Sequence, residues 1–79
     1  MAIRNRKDLG AAVRRARRAR KLSQTDLARM ASVRQPMISE LENGTTSVTI
    51  DTLLKVLAPL ALDLDLAPRQ SASFDPTEY

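Results

Sequence analysis

Apolar residues recur at helical spacing in four stretches of the chain, three or four positions apart. The first set is Leu9, Ala12, Val13 and Ala16, and the second is Leu27, Ala28 and Ala31. The third set is Ile38 and Leu41, and the fourth is Ile50, Leu53, Leu54 and Leu57. Because this spacing puts each set on one face of a helix, it predicts four amphipathic helices that share a core.

The first two predicted helices begin at residues that cap helix N-termini. Asn5 with Asp8, and Ser23 with Asp26, each match the pattern of a capping box. The first helix is therefore expected to run from Asn5 to about Arg20, and the second to begin just after Ser23. In the first helix, the basic side chains of 14, 18 and 21 are predicted to lie opposite the apolar face.

Capping and helix-breaking residues also mark the ends of the last two predicted helices. The third helix is expected over residues 35–42, since Pro36 fits a first helical turn and Asn43-Gly44 is a C-terminal capping signal. Thr49 is placed to cap the fourth helix. Pro59 is expected to end or kink that helix, because it lacks an N–H.

The periodicity changes from helical to alternating at residues 62–66, Leu-Asp-Leu-Asp-Leu. This predicts a half-buried strand. Since an isolated strand is unstable, it is expected to pair with the same strand of a second subunit about a two-fold axis. The expected dimer-interface residues are Leu62, Leu64 and Leu66.

The expected fold class is all-α, with four helices plus one C-terminal β-strand that pairs across a dimer. Four segments follow: a basic arm at 1–4, a helical domain at 5–60, a dimerisation strand at 61–67 and a flexible polar tail at 68–79.

The net charge of +4 hides a strong asymmetry along the 79 residues. Residues 1–34 hold eleven Lys/Arg and two acids, which gives +9, and residues 35–79 hold two Lys/Arg and seven acids, which gives −5. A basic half beside an acidic half indicates a polyanionic partner for the first and a different partner for the second.

Composition argues against most catalytic chemistry. The chain has no cysteine, no histidine and only two glycines, which excludes Cys/His zinc sites, thiol or imidazole catalysis and a Gly-rich phosphate loop. We expect no enzyme, no catalytic or metal site and no cofactor. No apolar stretch of about 18 residues and no secretory signal are encoded, so a cytoplasmic location without membrane contact is expected.

The spacing of residues 24–41 is that of a helix-turn-helix. Ala28 supplies the small residue that two steeply crossing helices need at their contact. Ser32 stands in the turn, where most such motifs have glycine. If the backbone adopts a left-handed conformation at this position, serine costs about 1 kcal/mol.

Two stretches, Leu-Ser-Gln-Thr-Asp-Leu-Ala at 22–28 and Gln-Pro-Met-Ile-Ser-Glu-Leu-Glu-Asn-Gly at 35–44, resemble the phage-repressor (Xre/Cro) class across residues 5–58. That class usually adds a fifth helix. The strand in its place resembles HipB-type antitoxins, which dimerise through such a strand and carry a flexible tail. The resemblance implies a homodimeric repressor of a palindromic duplex-DNA operator that also holds a HipA-like kinase toxin, and a structural Arg17–Glu42 pair.

Candidate DNA-contacting residues follow from the motif. Gln35 opens the recognition helix, where a glutamine can bond bidentately to adenine. The expected base-reading residues are Arg34, Gln35, Pro36, Met37 and Ser39. Arg34 would reach either a guanine or a phosphate, and Met37 either touches a thymine methyl or covers the turn.

Phosphate contacts are expected at helix N-termini and in the polar loop after the third helix. The candidates are Gln24, Arg20, Thr45, Thr46 and Ser47. The resemblance implies that Gln24 also braces Gln35. The alternative for the loop is ordinary solvation.

Two isolated aromatic residues, Phe74 and Tyr79, lie in the tail and are candidate toxin contacts, since aromatic residues often anchor interfaces. The alternative is a solvated end. Two further functions stay open: a stand-alone repressor without a toxin, and an RNA-binding protein that uses the arginine-rich run at 14–21.

Overall fold

The structure is a computed structural model that describes residues 2–66 and 68. Its elements are α1 (Arg6–Ala19), α2 (Gln24–Ala31), α3 (Gln35–Asn43), α4 (Ile50–Leu57) and a 3-10 helix (Ala58–Leu60). The four predicted helices are confirmed, with bounds close to those expected. None of the described helices has the length and apolar character needed to cross a membrane.

The capping residues of α1 and α2 act largely as predicted. At α2, Ser23 Oγ accepts from the Asp26 N–H at 2.9 Å and the Asp26 carboxylate accepts from the Ser23 N–H at 3.0 Å, so the box is complete. At α1, Asn5 Oδ1 accepts from the Asp8 N–H at 2.8 Å. The Asp8 carboxylate instead accepts from the N–H of Arg4, at 3.2 Å, so only half of this box forms.

Pro59 ends α4 as predicted. The helix stops at Leu57, and the chain tightens into the 3-10 helix that contains the proline. At the other end of α4, Thr49 Oγ1 accepts from the Thr52 N–H at 3.1 Å, which confirms its role as the N-cap.

The core is formed by apolar side chains from all four helices and the 3-10 helix. Its buried members are Val13, Leu27, Ala28, Ala31, Ile38, Leu41, Leu53, Val56, Leu57 and Leu60. The predicted apolar face of α4 is wrong in part, since Ile50 is 62% exposed and Leu54 45% exposed, whereas Val56 is fully buried. Apolar residues occupy more than one face of this short helix, so its rotation is set by packing rather than by the pattern.

The two glycines let α1 approach α3 closely. A Cβ at Gly10 would stand 2.5 Å from the carbonyl oxygen of Glu42, which a real side chain cannot do. Gly44 caps α3 with φ +71°, and a Cβ there would stand 2.8 Å from Lys7 Cα. Both positions bring the backbone of α1 against the end of α3, which fixes the polar contacts described below.

Residues 62–66 form no strand in the single chain. The Leu62 N–H bonds to the Leu57 carbonyl at 3.1 Å, but the segment has no ladder partner among the described residues. Leu62, Leu64 and Leu66 are 38%, 49% and 97% exposed. A strand needs a neighbour for its backbone groups, so the predicted pairing across a dimer stays a proposal. Phe74 and Tyr79 lie outside the described residues.

Candidate nucleic-acid interface

A three-residue turn joins α2 to α3 and sets their crossing. Ser32 adopts a left-handed conformation with φ 58° and ψ 43°, as the motif requires of its turn residue. The N–H of Val33 bonds to the Ala28 carbonyl at 2.9 Å. Ala28 is 4% exposed, which fits a small residue at the helix crossing. The helix-turn-helix geometry is therefore present with serine in place of glycine.

The N-terminal end of α3 is displayed to solvent. Arg34 is the N-cap residue and makes no side-chain capping bond. Like Arg34, Gln35 and Pro36 are exposed, while Met37 and Ser39 are half-buried. Met37 packs against the core, so part of this side chain covers the turn. Three of the five predicted base-reading residues thus lie together on an open surface.

Gln35, Gln24 and Glu42 form a hydrogen-bonded chain, here called the glutamine relay, that runs from this surface into the protein. Gln35 Nε2 donates to Gln24 Oε1 at 2.8 Å. Gln24 Nε2 donates in turn to Glu42 Oε1 at 3.1 Å. The brace between Gln24 and Gln35 that the resemblance implies is therefore present. Glu42, near the C-terminal end of α3, in turn holds Gln24 in place.

At its inner end the relay joins a buried ion pair between Glu42 and Arg17. Arg17 Nε and Nη2 donate to the two carboxylate oxygens of Glu42 at 2.6 and 3.0 Å, and Arg17 Nη1 donates to the Leu22 carbonyl at 2.8 Å. The residues are 8% and 3% exposed. The pair that the resemblance implied is therefore confirmed.

Burial raises the pKa of Glu42, but hydrogen bonds from Arg17 and Gln24 and the charge of Arg17 outweigh burial and hold that pKa below its ordinary value. The hydrogen bond to Glu42 raises the pKa of Arg17, against the lowering effect of burial. Both groups are therefore charged at neutral pH.

Arg14 is not on the solvated far side of α1, and that prediction is wrong. Its Nε donates to Glu42 Oε1 at 3.3 Å and its Nη2 to Asn43 Oδ1 at 2.8 Å. The close approach of α1 to α3 at Gly10 brings these groups within reach, which periodicity within α1 alone does not reveal.

Arg20, a predicted phosphate contact, uses its Nε inside the fold. It donates to the Leu60 carbonyl at 3.1 Å and so ties the end of α1 to the 3-10 helix. A phosphate contact by the rest of its guanidinium stays a prediction.

The predicted phosphate loop follows the C-cap of α3. The N–H and Oγ1 of Thr45 both bond to the Glu40 carbonyl, at 3.0 and 3.3 Å. Thr46 Oγ1 bonds to the Ser47 carbonyl at 3.3 Å. Arg6 Nη1 donates to Ser47 Oγ at 3.2 Å, so a cation from α1 lies against this loop. Sequence reasoning missed Arg6, and only the packing of α1 on the end of α3 reveals it.

Comparison with known proteins agrees with this geometry. The family model described as Helix-turn-helix matches residues 13–66. An uncharacterized HTH-type transcriptional regulator of Haemophilus influenzae is 45% identical over 47 residues, which cover 60% of this chain and 48% of that protein. Antitoxin HipB of Escherichia coli is 34% identical over 56 residues, which cover 71% of this chain and 64% of HipB. The chain thus spans about half the length of the first relative.

Solved structures of helix-turn-helix proteins are similar to this chain over a larger share of its length. The structure of the HipA-HipB-O2-O3 complex matches with a TM-score of 0.78 and 27% identity, covering 89% of this chain and 99% of the matched chain. The restriction-modification controller protein C.AhdI of Aeromonas hydrophila matches with a TM-score of 0.71 and 26% identity, covering 73% and 88%. The chain therefore belongs to the Xre-type helix-turn-helix family of DNA-binding transcriptional regulators, to which the antitoxin HipB also belongs.

Proposed function

We propose that this protein is a sequence-specific repressor that binds a palindromic operator as a homodimer and places the N-terminal end of α3 in the major groove. The observation that carries the proposal is the glutamine relay, which holds Gln35 in place on an exposed helix end. A glutamine that is positioned before binding loses less side-chain entropy when it contacts a base. Direct readout of adenine by Gln35 follows from this position.

The neighbours of Gln35 complete the proposed base-reading surface. Arg34 and Pro36 flank it in the open, and the accessible parts of Met37 and Ser39 lie on the same helix. Arg34 supplies donors for a guanine or a phosphate, while Pro36 and Met37 supply apolar surface for a thymine methyl.

Phosphate contacts are proposed on both sides of that surface. Gln24 is the first residue of α2, where the N–H groups of a helix start favour an anion. The loop residues Thr45, Thr46 and Ser47 offer hydroxyl groups, and Arg6 adds a charge beside them. Arg20 is a further candidate through the part of its guanidinium that the Leu60 bond leaves available.

Dimerisation is proposed through residues 62–66. Their alternating leucines are exposed in the single chain, and their backbone groups need a partner that a second copy supplies. Two copies related by a two-fold axis present two reading helices to the two halves of a palindrome.

An antitoxin role is proposed as the second part of the function. It is supported by the similarity to antitoxin HipB and to the HipB chain of the HipA-HipB-O2-O3 complex. The acidic C-terminal half, with Phe74 and Tyr79 as candidate anchors, is the proposed contact for a HipA-like kinase toxin. Where a kinase-like protein is encoded beside this gene, calorimetry with that protein tests the role, and deletion of 69–79 is expected to weaken the binding while DNA binding stays unchanged. An absence of binding leaves the stand-alone repressor.

The RNA-binding alternative is disfavoured by the internal contacts of the arginine run. Arg14 and Arg17 donate hydrogen bonds to Glu42 and Asn43 of the same chain, so two arginines of the run are held within the fold. Competition between duplex RNA and operator DNA separates the two functions.

The experiment that tests the DNA-reading function is selection of binding sites from random duplex DNA, followed by comparison of variants on the selected site. Gln35→Ala is expected to lose about 5- to 150-fold discrimination at one adenine position in each half-site. Glu40→Ala, an exposed change on the same helix, is the matched control and should keep the base preference. Unchanged discrimination in Gln35→Ala would contradict base reading by this residue.

A further inference from the structure

The carboxylate of Glu42 gives the glutamine relay a fixed hydrogen-bond direction. An ionised carboxylate accepts hydrogen bonds and has none to donate. Glu42 Oε1 already accepts from Arg17 and Arg14, and Oε2 accepts from Arg17. Gln24 must therefore turn its NH2 group toward Glu42, as the 3.1 Å contact shows. The lowered pKa of Glu42 keeps this carboxyl ionised at neutral pH.

The direction passes from Gln24 to Gln35. With its NH2 group committed to Glu42, Gln24 presents its carbonyl oxygen to Gln35 and can only accept there. Gln35 must donate with Nε2, at 2.8 Å. What remains on Gln35 for a ligand is the carbonyl oxygen and the second hydrogen of Nε2, which is one acceptor beside one donor.

That pair of groups matches adenine and not guanine. In the major groove adenine offers the N6 amino donor and the N7 acceptor, whereas guanine offers two acceptors, O6 and N7. If the relay ran in the opposite direction, Gln35 would turn its carbonyl inward and present only N–H donors, which suits guanine. Direction along the relay is therefore equivalent to a choice between the two purines.

We propose that Glu42 is a positioning residue that makes Gln35 prefer adenine over guanine, through the hydrogen-bond direction it imposes on Gln24. The proposal rests on the proposed function, in that Gln35 must read a base. Glu42 itself is 3% exposed, so its proposed effect on specificity acts through Gln24 and Gln35 rather than by contact with a base.

Variants at position 24 test the direction while the Arg17–Glu42 pair stays intact. Gln24→Leu removes the relay, and its ratio of affinities for adenine and guanine at the contacted position should fall toward that of Gln35→Ala. Gln24→Lys offers only donors, satisfies Glu42 and turns the carbonyl of Gln35 inward, so guanine should become the preferred purine. Fluorescence anisotropy with selected duplexes that differ only by A·T or G·C at this position measures the ratio. A lost phosphate contact by Gln24 would weaken both duplexes alike.

A double variant tests Glu42 directly without leaving a buried charge unpaired. Arg17→Met with Glu42→Gln, made in the Arg14→Met background because Arg14 also donates to Oε1, places at 42 an amide that can turn either its oxygen or its nitrogen toward Gln24, so the relay loses its single direction. The purine ratio should fall several-fold while a cooperative melting transition remains. Arg14→Met removes a Glu42 contact outside the relay and is the matched control, with a ratio equal to that of the parent protein.

The outcomes separate the two proposals. If Gln35→Ala loses the purine preference while the position-24 variants and the double variant keep it, Glu42 does not set the preference and this inference is overturned. If Gln35→Ala itself keeps the purine preference, Gln35 does not read the base, and the proposed function is contradicted together with this inference. A guanine preference in Gln24→Lys that disappears when Gln35→Ala is added supports the relay, because the added lysine then does not read guanine on its own.

Discussion

Arg17 and Glu42 form a two-point ion pair, at 2.6 and 3.0 Å, that ties the middle of α1 to the end of α3. Neither residue exposes more than 8% of its surface. Such a pair costs desolvation when it forms, but the loss of one partner leaves an uncompensated buried charge. The stability of this small domain therefore depends on keeping both residues or on replacing both.

Glu42→Gln alone is expected to lower the free energy of unfolding by about 3–5 kcal/mol, because Arg17 then stays buried without a counter-charge. Urea denaturation followed by circular dichroism measures the change. Arg18→Ala, an exposed change on the same helix, should stay within about 0.5 kcal/mol of the parent protein. A loss as small in Glu42→Gln would show that water or a neighbouring group compensates Arg17.

Stability is expected to fall on acidification through Glu42 and Asp26. The pKa of Glu42 is held low as described, and hydrogen bonds from the N–H and the hydroxyl of Ser23 lower the pKa of Asp26. A carboxyl whose pKa is lower in the folded state contributes stability that is complete above its unfolded-state pKa, about 4 for these groups, and is lost as the pH falls through the folded-state value.

Melting temperatures between pH 7 and pH 2.5 check this dependence. The temperature should hold above about pH 5.5 and fall progressively below it. In the variant that combines Arg17→Met with Glu42→Gln, the melting temperature should fall less as the pH is lowered. Adding Asp26→Asn should reduce this pH dependence further. A parent protein whose melting temperature is flat to pH 3 would contradict the low pKa values.

Ser32→Gly is expected to stabilise the protein by about 0.5 kcal/mol. The substitution relieves about 1–2 kcal/mol of left-handed strain at φ 58°, and glycine gives back roughly 0.5–1 kcal/mol in backbone entropy. Ser32→Ala keeps the strained Cβ and removes the hydroxyl, so it should show no gain. Equal stability in both variants would mean that the turn tolerates a Cβ without strain.

Local signals in the sequence were enough to predict the helices and the turn. Ser23 with Asp26 marked the start of α2, and Gly44 marked the end of α3. Helix caps act through hydrogen bonds between residues a few positions apart, so they can be recognised from the sequence without knowledge of the tertiary structure. The left-handed conformation of Ser32 was anticipated from its turn position in the motif, where most such motifs have glycine.

Contacts between helices could not be predicted in this way. The approach of α1 to α3 at Gly10 decides that Arg14 reaches Glu42 and Asn43 rather than solvent. The pattern of α4 was consistent with more than one buried face, and packing chose the one that leaves Ile50 in water. Only the resemblance to repressors indicated that Gln24 braces Gln35, because an 11-residue separation carries no local signal.

Leu64→Asp is expected to abolish the dimer. Leu64 is the middle of three exposed leucines in the segment at 62–66, and a charge in the middle of this apolar face would be buried without a partner in the proposed dimer. The four-helix core lies elsewhere, so the monomer should keep its melting transition while operator affinity falls because each half-site is bound alone. Light scattering gives the mass and anisotropy gives the affinity. Asp63→Leu, on the opposite face of the proposed strand, is the matched control and should stay dimeric, whereas a dimeric Leu64→Asp would place the interface on another surface.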